Sequence, residues 1–169
     1  MKKTFYTISI FLLLISTQSC GIYSFGGVTL HEDVKTVQID YFPNNAPLIE
    51  PTLSQQFTLA LQDIFISQTN LDLVKSDGDI IFEGEITGYR INPMTATADQ
   101  TAAQNRLTIT VNVRYYNKYE EEKEFEQTFS FFHDYDAQAQ LTGSILDDAF
   151  SVIFERITQD IFNASVAQW

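Results

Sequence analysis

An apolar run, Phe5 to Ile15, follows Lys2 and Lys3 and leads through Ser16-Thr17-Gln18-Ser19 to the only cysteine of the chain, Cys20. A helix needs roughly 20 apolar residues to cross a bilayer. About eleven, behind a positive start and ahead of small residues, instead mark a secretory leader that is excluded from the fold. This reading constrains everything downstream. Residues 1–19 leave, and the remaining 150 of 169 residues must build a core with a single thiol and hence no internal disulfide. That length fits one domain and buries enough apolar surface to stand without staples.

A leader ending in small residues and one cysteine resembles a bacterial lipoprotein signal. In such signals the thiol is diacylated, cleavage falls before the cysteine, and the new amine is acylated as well. Thr17-Gln18-Ser19 replaces the usual Leu-small-small triplet, a loosened box similar to those of Bacteroidota. Each buried methylene contributes about 0.8 kcal/mol, so two or three acyl chains hold firmly where one would not. Cys20 is therefore the expected lipid-attachment site, with palmitate-type acyl chains, and residues 20–33 the expected tether of a single domain spanning 34–169. Gly21 is not an acidic sorting residue, and Ile22 to Gly27 carries no acidic export cluster. The expected location is the outer membrane, lipid-anchored and facing the periplasm.

With the leader goes the charge of Lys2 and Lys3. The body keeps 8 basic against 22 acidic side chains, net −14 (8 − 22). Such a surface is repelled by nucleic acid and by anionic head groups, so membrane attachment falls to the lipid alone.

Val34 to Phe42 is rich in β-formers and reads as a strand, although Tyr41 and Phe42 are adjacent and break its parity. Pro43-Asn44-Asn45-Ala46-Pro47 ends it. Pro51 suits a first helical position. From Thr52 to about Gln68, Leu53, Phe57, Ala60, Leu61, Ile64 and Phe65 recur at helical spacing. Leu71 to Val74 is a short extended piece before the turn at Lys75 to Gly78. Asp79 to Ile91 is a strand with Ile80, Phe82, Gly84, Ile86 and Gly88 on one face and Glu83, Glu85 and Thr87 on the other. Its glycines signal a bulge or a close approach. Asn92 to Asn105 reads as a mobile connection. Leu107 to Tyr115 alternates cleanly, Asn117 to Lys123 is a charged hairpin connection, and Phe125 to Tyr135 returns, with Phe132 out of pattern. A final helix starts near Ser144, with Asp147 as an approximate capping box. Its stripe is Leu146, Ala149, Phe150, Ile153, Ile157 and Ile161. The order β-α-β-β-β-α predicts an α+β two-layer sandwich, two helices on one face of a four-stranded mixed sheet whose other face stays polar.

Catalytic signatures are missing. No GxSxG, HExxH, phosphate loop or dinucleotide fingerprint occurs, and His31 and His133 sit beside no nucleophile pattern. His133-Asp134-Tyr135-Asp136 reads as a solvated strand end in place of a metal site, and Ser76-Asp77-Gly78-Asp79 lacks the other ligands of a calcium loop. No enzyme, metal or cofactor is expected.

The stretches SCGIYSFGG (19–27), VKTVQIDYFPNNAP (34–47), PTLSQQFTLALQD (51–63), FEGEITGYRI (82–91), NRLTITVNVRY (105–115) and QDIFNASVAQW (159–169) together resemble the lipopolysaccharide-assembly lipoprotein family, LptE, as it occurs in Bacteroidota. The resemblance implies two helices on one side of a four-stranded sheet and a role without catalysis. Family members plug the lumen of the lipopolysaccharide-translocating outer-membrane β-barrel (LptD-type) and assist its assembly, and some contact lipopolysaccharide. Against a net −14 body, only Arg90, Arg106, Arg114 and Lys118 offer a local basic cluster for such contact. With Asn112 and the 92–105 and 117–123 loops, they are the candidate partner or lipopolysaccharide contacts. The alternative function is a periplasmic lipoprotein that binds a small ligand between sheet and helices, at the space opened by Gly84 and Gly88.

Overall fold

A computed structural model describes residues 30–94 and 103–166. The leader, Cys20, the tether up to residue 29, the middle of the 92–105 connection and the last three residues lie outside the described residues.

The cleanest alternation in the sequence becomes a strand whose inner face is wholly buried. Leu107, Ile109, Val111, Val113 and Tyr115 show no exposed surface, which only a covered sheet face provides. The strands are β1 (Thr36–Ile39), β2 (Asp72–Val74), β3 (Ile80–Met94), β4 (Gln104–Asn117) and β5 (Phe125–Asp136). The helices are α1 (Leu53–Gln68) and α2 (Ser144–Val166), and a short 3-10 turn spans Glu121–Lys123. Spatial order is β2-β1-β3-β4-β5. β1 runs parallel to both neighbours, while β3, β4 and β5 form an antiparallel meander. This is the α+β architecture expected from the sequence, with one more strand.

The extra strand is β2. Three residues are too few to show a period, so Leu71 to Val74 reads in sequence only as extended chain. In the fold Thr36 to Gln38 pair with Asp72 to Val74, and the Asp72 amide donates to the Lys35 carbonyl at 2.9 Å. β1, α1 and β2 thus make a parallel crossover, the connection that a helix between parallel strands supplies.

The parity conflict of Tyr41 and Phe42 is settled by a bend. β1 ends at Ile39, and the chain then re-pairs beside β3, with an isolated parallel bridge between Asn44 and Ile86. Through the bend Phe42 turns fully inward and Tyr41 is left 61% exposed. The Phe42 amide donates to the Thr58 hydroxyl of α1 at 3.2 Å. A bulge between Ile86 and Gly88 shifts the parity of β3. Downstream of it Tyr89 enters the core, an inward residue that strict alternation puts on the outer face.

The helix boundaries also shift slightly. α1 begins at Leu53, so Pro51 lies ahead of its first turn, in a bend where the Glu50 carboxylate accepts from the Thr52 hydroxyl at 3.0 Å. α2 begins at Ser144 itself, and the Asp147 amide donates to the Gly143 carbonyl at 3.0 Å. Ser144 is thus the first helical residue instead of the cap that a box with Asp147 needs.

Both helices lie on one sheet face and are joined to it by aromatic rings. Phe65 sits 4.7 Å from Phe82 and 5.2 Å from Phe162, ring centre to ring centre. Phe57 lies 5.3 Å from Phe42 and 5.6 Å from Phe154. Tyr115 lies 4.9 Å from Phe82 and 5.3 Å from Phe125. Each such side chain removed from water contributes about 1.5–3 kcal/mol, plus roughly 0.5–1.5 kcal/mol per well-placed ring pair. The helix-to-sheet layer is held mainly by these rings.

Candidate partner-binding face

Among the described residues no helix covers the opposite sheet face, and its side chains pair across the strands. Arg114 on β4 faces two glutamates of β3, Nε donating to Glu83 at 2.9 Å and Nη1 to Glu85 at 3.1 Å. Glu126 of β5 stands on its other side at 4.0 Å. Asn112 donates to Glu126 at 2.7 Å and to Glu85 at 3.3 Å. The Thr110 and Ser130 hydroxyls are 3.0 Å apart. Arg106 holds Asp134 through two parallel bonds of 2.7 and 2.8 Å, while its guanidinium lies 3.6 Å above the Phe132 ring. Phe132, out of pattern in the sequence, is thus an outer-face residue roofed by an arginine.

Titration behaviour follows from this pairing. The hydrogen bond from Arg106 holds the Asp134 carboxyl below its ordinary range. Hydrogen bonds to Glu83 and Glu85 push the Arg114 guanidinium further up. Burial, followed by the Glu83 hydrogen bond, raises the Tyr116 phenol.

Of the five residues singled out in the sequence, Arg106, Asn112 and Arg114 on β4 share this face with Arg90 on β3, which stands opposite Thr108. The three on β4 are strung along it, Arg106 and Arg114 being eight positions apart, about 27 Å of strand, while Arg90 stands near the Arg106 end, since Arg106 pairs with Asn92. Arg90, exposed on β3 beside Thr108, makes no ion pair with the described residues. Lys118 lies beyond β4 and donates to the Asp77 carbonyl at 2.9 Å. Carboxylates thus surround Arg114 and hold Arg106. Of these carboxylates, the sequence reading put Glu83 and Glu85 on the face away from the core and Asp134 in a solvated strand end, and did not single out Glu126. A signal for two of them existed: a hairpin folded about Glu120 brings Arg114 opposite Glu126 and Arg106 opposite Asp134, as observed.

The connections at the two ends of β4 differ. Asn92 to Met94 and Gln104 to Asn105 belong to β3 and β4, so the strands run further into the predicted loop than the sequence suggested. At the other end Asn117 is nearly fully buried. Its side-chain carbonyl accepts from the Tyr119 and Glu120 amides at 3.0 and 3.2 Å, and its amide donates to the Tyr115 hydroxyl at 3.1 Å. Lys123 pairs with Glu120 at 2.7 Å. The chain enters beside this hairpin, where His31 stacks on Tyr119 at 5.5 Å.

The space between sheet and helices is filled. A Cβ at Gly84 would lie 2.1 Å from the Asn112 carbonyl oxygen and 2.7 Å from the Phe42 ring, and one at Gly88 3.0 Å from Thr110. The glycines mark close approach and a bulge, with no opening for a small ligand. His133 to Asp136 alternates across β5, Asp134 outward to Arg106 and Tyr135 buried. Among the described residues no three His, Cys, Asp or Glu side chains converge on a metal position, and no helix is long and apolar enough to cross a membrane.

The model of the LptE, lipopolysaccharide-assembly, family matches residues 34–165. No curated protein matches the sequence. Among solved structures, the hypothetical protein CT253 of Chlamydia trachomatis is similar at TM-score 0.52 and 11% identity, over 75% of this chain and 93% of that one. The rare lipoprotein B of Shewanella oneidensis aligns at TM-score 0.43 and 12% identity, over 75% and 89%. A minor lipoprotein of Acinetobacter baumannii aligns at 0.43 and 11%, over 76% and 89%. At 11% identity, the likeness to CT253 is one of fold.

Proposed function

The chain belongs to the LptE family of lipopolysaccharide-assembly proteins, and from that membership we propose that it is a non-catalytic outer-membrane lipoprotein, anchored through Cys20, that plugs the lipopolysaccharide-translocating β-barrel and assists its assembly. The observation that carries the reading is the family match across almost the whole domain. The outer sheet face supports it. A broad face of paired arginines, carboxylates, amides and hydroxyls suits a wet, hydrogen-bonding lumen, where polar groups exchange water for partners at little cost. The filled core favours a protein that works through its surface over one that encloses a ligand.

In this reading the side chains of Asn112 and Arg114 and the 92–105 and 117–123 connections meet the barrel. Contact with lipopolysaccharide itself would fall to Arg90, whose charge is not already balanced, more than to Arg106, Arg114 or Lys118. The test is a mild-detergent pull-down of the tagged, lipidated protein from its native outer membrane. Recovery of a large β-barrel in about equal amount is the expected result. Recovery of the lipoprotein alone, under conditions that keep barrel complexes intact, would overturn the reading.

A further inference from the structure

The two edges of the sheet are unlike. β2 closes one side with only three residues, short enough to be a poor template. β5 closes the other with twelve. Its ladder with β4 runs from Gln104↔Asp136 to Tyr115↔Phe125 without a bulge, and it contains no proline. Among the described residues no backbone or side-chain group hydrogen-bonds to the far side of Phe125–Tyr135. In an antiparallel ladder every second residue turns its amide and carbonyl away from its neighbour. β5 therefore offers a straight row of unpaired backbone groups about 40 Å long. Such a row accepts another strand unless something prevents it.

What stands along the row selects the guest. Glu124, Glu126, Asp134 and Asp136 are symmetric about Ser130, and β5 holds no lysine or arginine. A second copy laid antiparallel over the full length would set Glu126 against Asp134 and Glu124 against Asp136. Like charges directly opposite destabilise a strand pair. Asp134 is already held by Arg106, whereas Glu126, with its side chain 61% exposed, is open to a cation of a guest strand.

We propose that β5 is a docking edge for an extended cationic segment of the barrel partner, added as a sixth strand with Lys or Arg opposite Glu126. This rests on the barrel reading above. The edge rejects the protein's own copy and accepts an oppositely charged strand.

The experiment uses the full lipidated chain, alone and in its purified barrel complex. Amide hydrogen exchange over Phe125–Asp136 is expected to slow at least about tenfold in the complex, for about half of the amides. A photo-crosslinker at Thr128 should capture the barrel, and one at Leu73 on the opposite edge should not. Glu126→Lys should lower barrel recovery about tenfold and Glu126→Gln about threefold, as expected for reversing or removing one cross-strand charge pair, with the thermal midpoint of the lone chain lowered by no more than about 2–4 °C, the cost of one surface pair. A complex whose β5 amides exchange as fast as in the lone chain overturns the inference and leaves the barrel reading standing. So does a Thr128 crosslink to a second copy, or wild-type recovery with Glu126→Lys. Failure of the wild type to recover any barrel removes both.

Discussion

Replacing Gly84 by alanine tests how tightly the two layers are closed. The added methyl would meet the Asn112 carbonyl oxygen at 2.1 Å and the Phe42 ring at 2.7 Å. The ring can turn away, but the carbonyl belongs to the backbone of β4 and moves only if the β3–β4 ladder opens by about an ångström. Loss of roughly two ladder hydrogen bonds costs about 1 kcal/mol each, and forced overpacking adds about 1–3 kcal/mol. The sum is about 3–5 kcal/mol, a large part of the 5–15 kcal/mol that holds a typical domain. For a domain of this size that corresponds to roughly 6–20 °C in the thermal midpoint. Urea unfolding of the wild type, Gly84→Ala, Phe42→Ala and the double variant reads the effect. Phe42→Ala alone should cost about 3–5 kcal/mol as a buried aromatic truncation. The double variant should be less destabilised than the sum by about 1 kcal/mol, the share due to the ring. A Gly84→Ala protein within about 0.5 kcal/mol of wild type would refute the close approach. Complete recovery in the double variant would show that the ring, and not the carbonyl, is the barrier.

Three further outcomes are expected. The Asp79 carboxylate accepts from the Lys35 and Thr36 amides at 2.9 and 3.0 Å and from the Thr36 hydroxyl at 2.8 Å, tying the start of β1 to β3. These bonds, that from the Lys35 amide first, hold its pKa below the ordinary value of 3.8. Its contribution is therefore present above about pH 4 and lost as pH falls further; Asp79→Asn should cost about 1–2 kcal/mol at pH 7 and less at pH 2–3, and an equal cost at both pH values would contradict the assignment. Asn117→Ala strips the hairpin of the acceptor for two amides and the donor to Tyr115, and should cost about 2–3 kcal/mol in denaturant unfolding; a neutral result would mean the turn holds itself. Burial pushes the Tyr89 and Tyr115 phenols up to about 12, so part of the folded stability is kept below pH 10 and lost as pH rises from 10 towards 12. An ultraviolet titration should show these phenols ionising only on alkaline unfolding, and both ionising in the native protein near pH 10 would refute their burial.

How much of this could be read in advance depended on element length and on register. β4 announced itself, because five alternating large residues have one explanation. The helices did too, since Phe57, Leu61 and Phe65 on one and Phe150, Ile153, Ile157 and Ile161 on the other keep a single face. β2 did not, because three residues carry no period and its pairing with β1 is set by the length of α1. The inward turn of Tyr89 was not legible, because a bulge changes parity without changing composition. The partners of Arg106 and Arg114 lie about 30 positions away in sequence, so only strand register joins them. Which of the surface residues serve a partner is a property of that partner as much as of this chain, and local pattern holds no record of it.

The chain enters the described body at Leu30, beside Tyr119 at the β4–β5 turn, whereas the open end of the β3–β4 ribbon is at the far end of the same strand. Fourteen residues of β4 put roughly 45 Å between them. The ribbon is thus a cantilever that points away from the place where the chain enters the body. Because the ribbon is continuous with the buried sheet, a push on its tip is borne by the whole aromatic layer beneath.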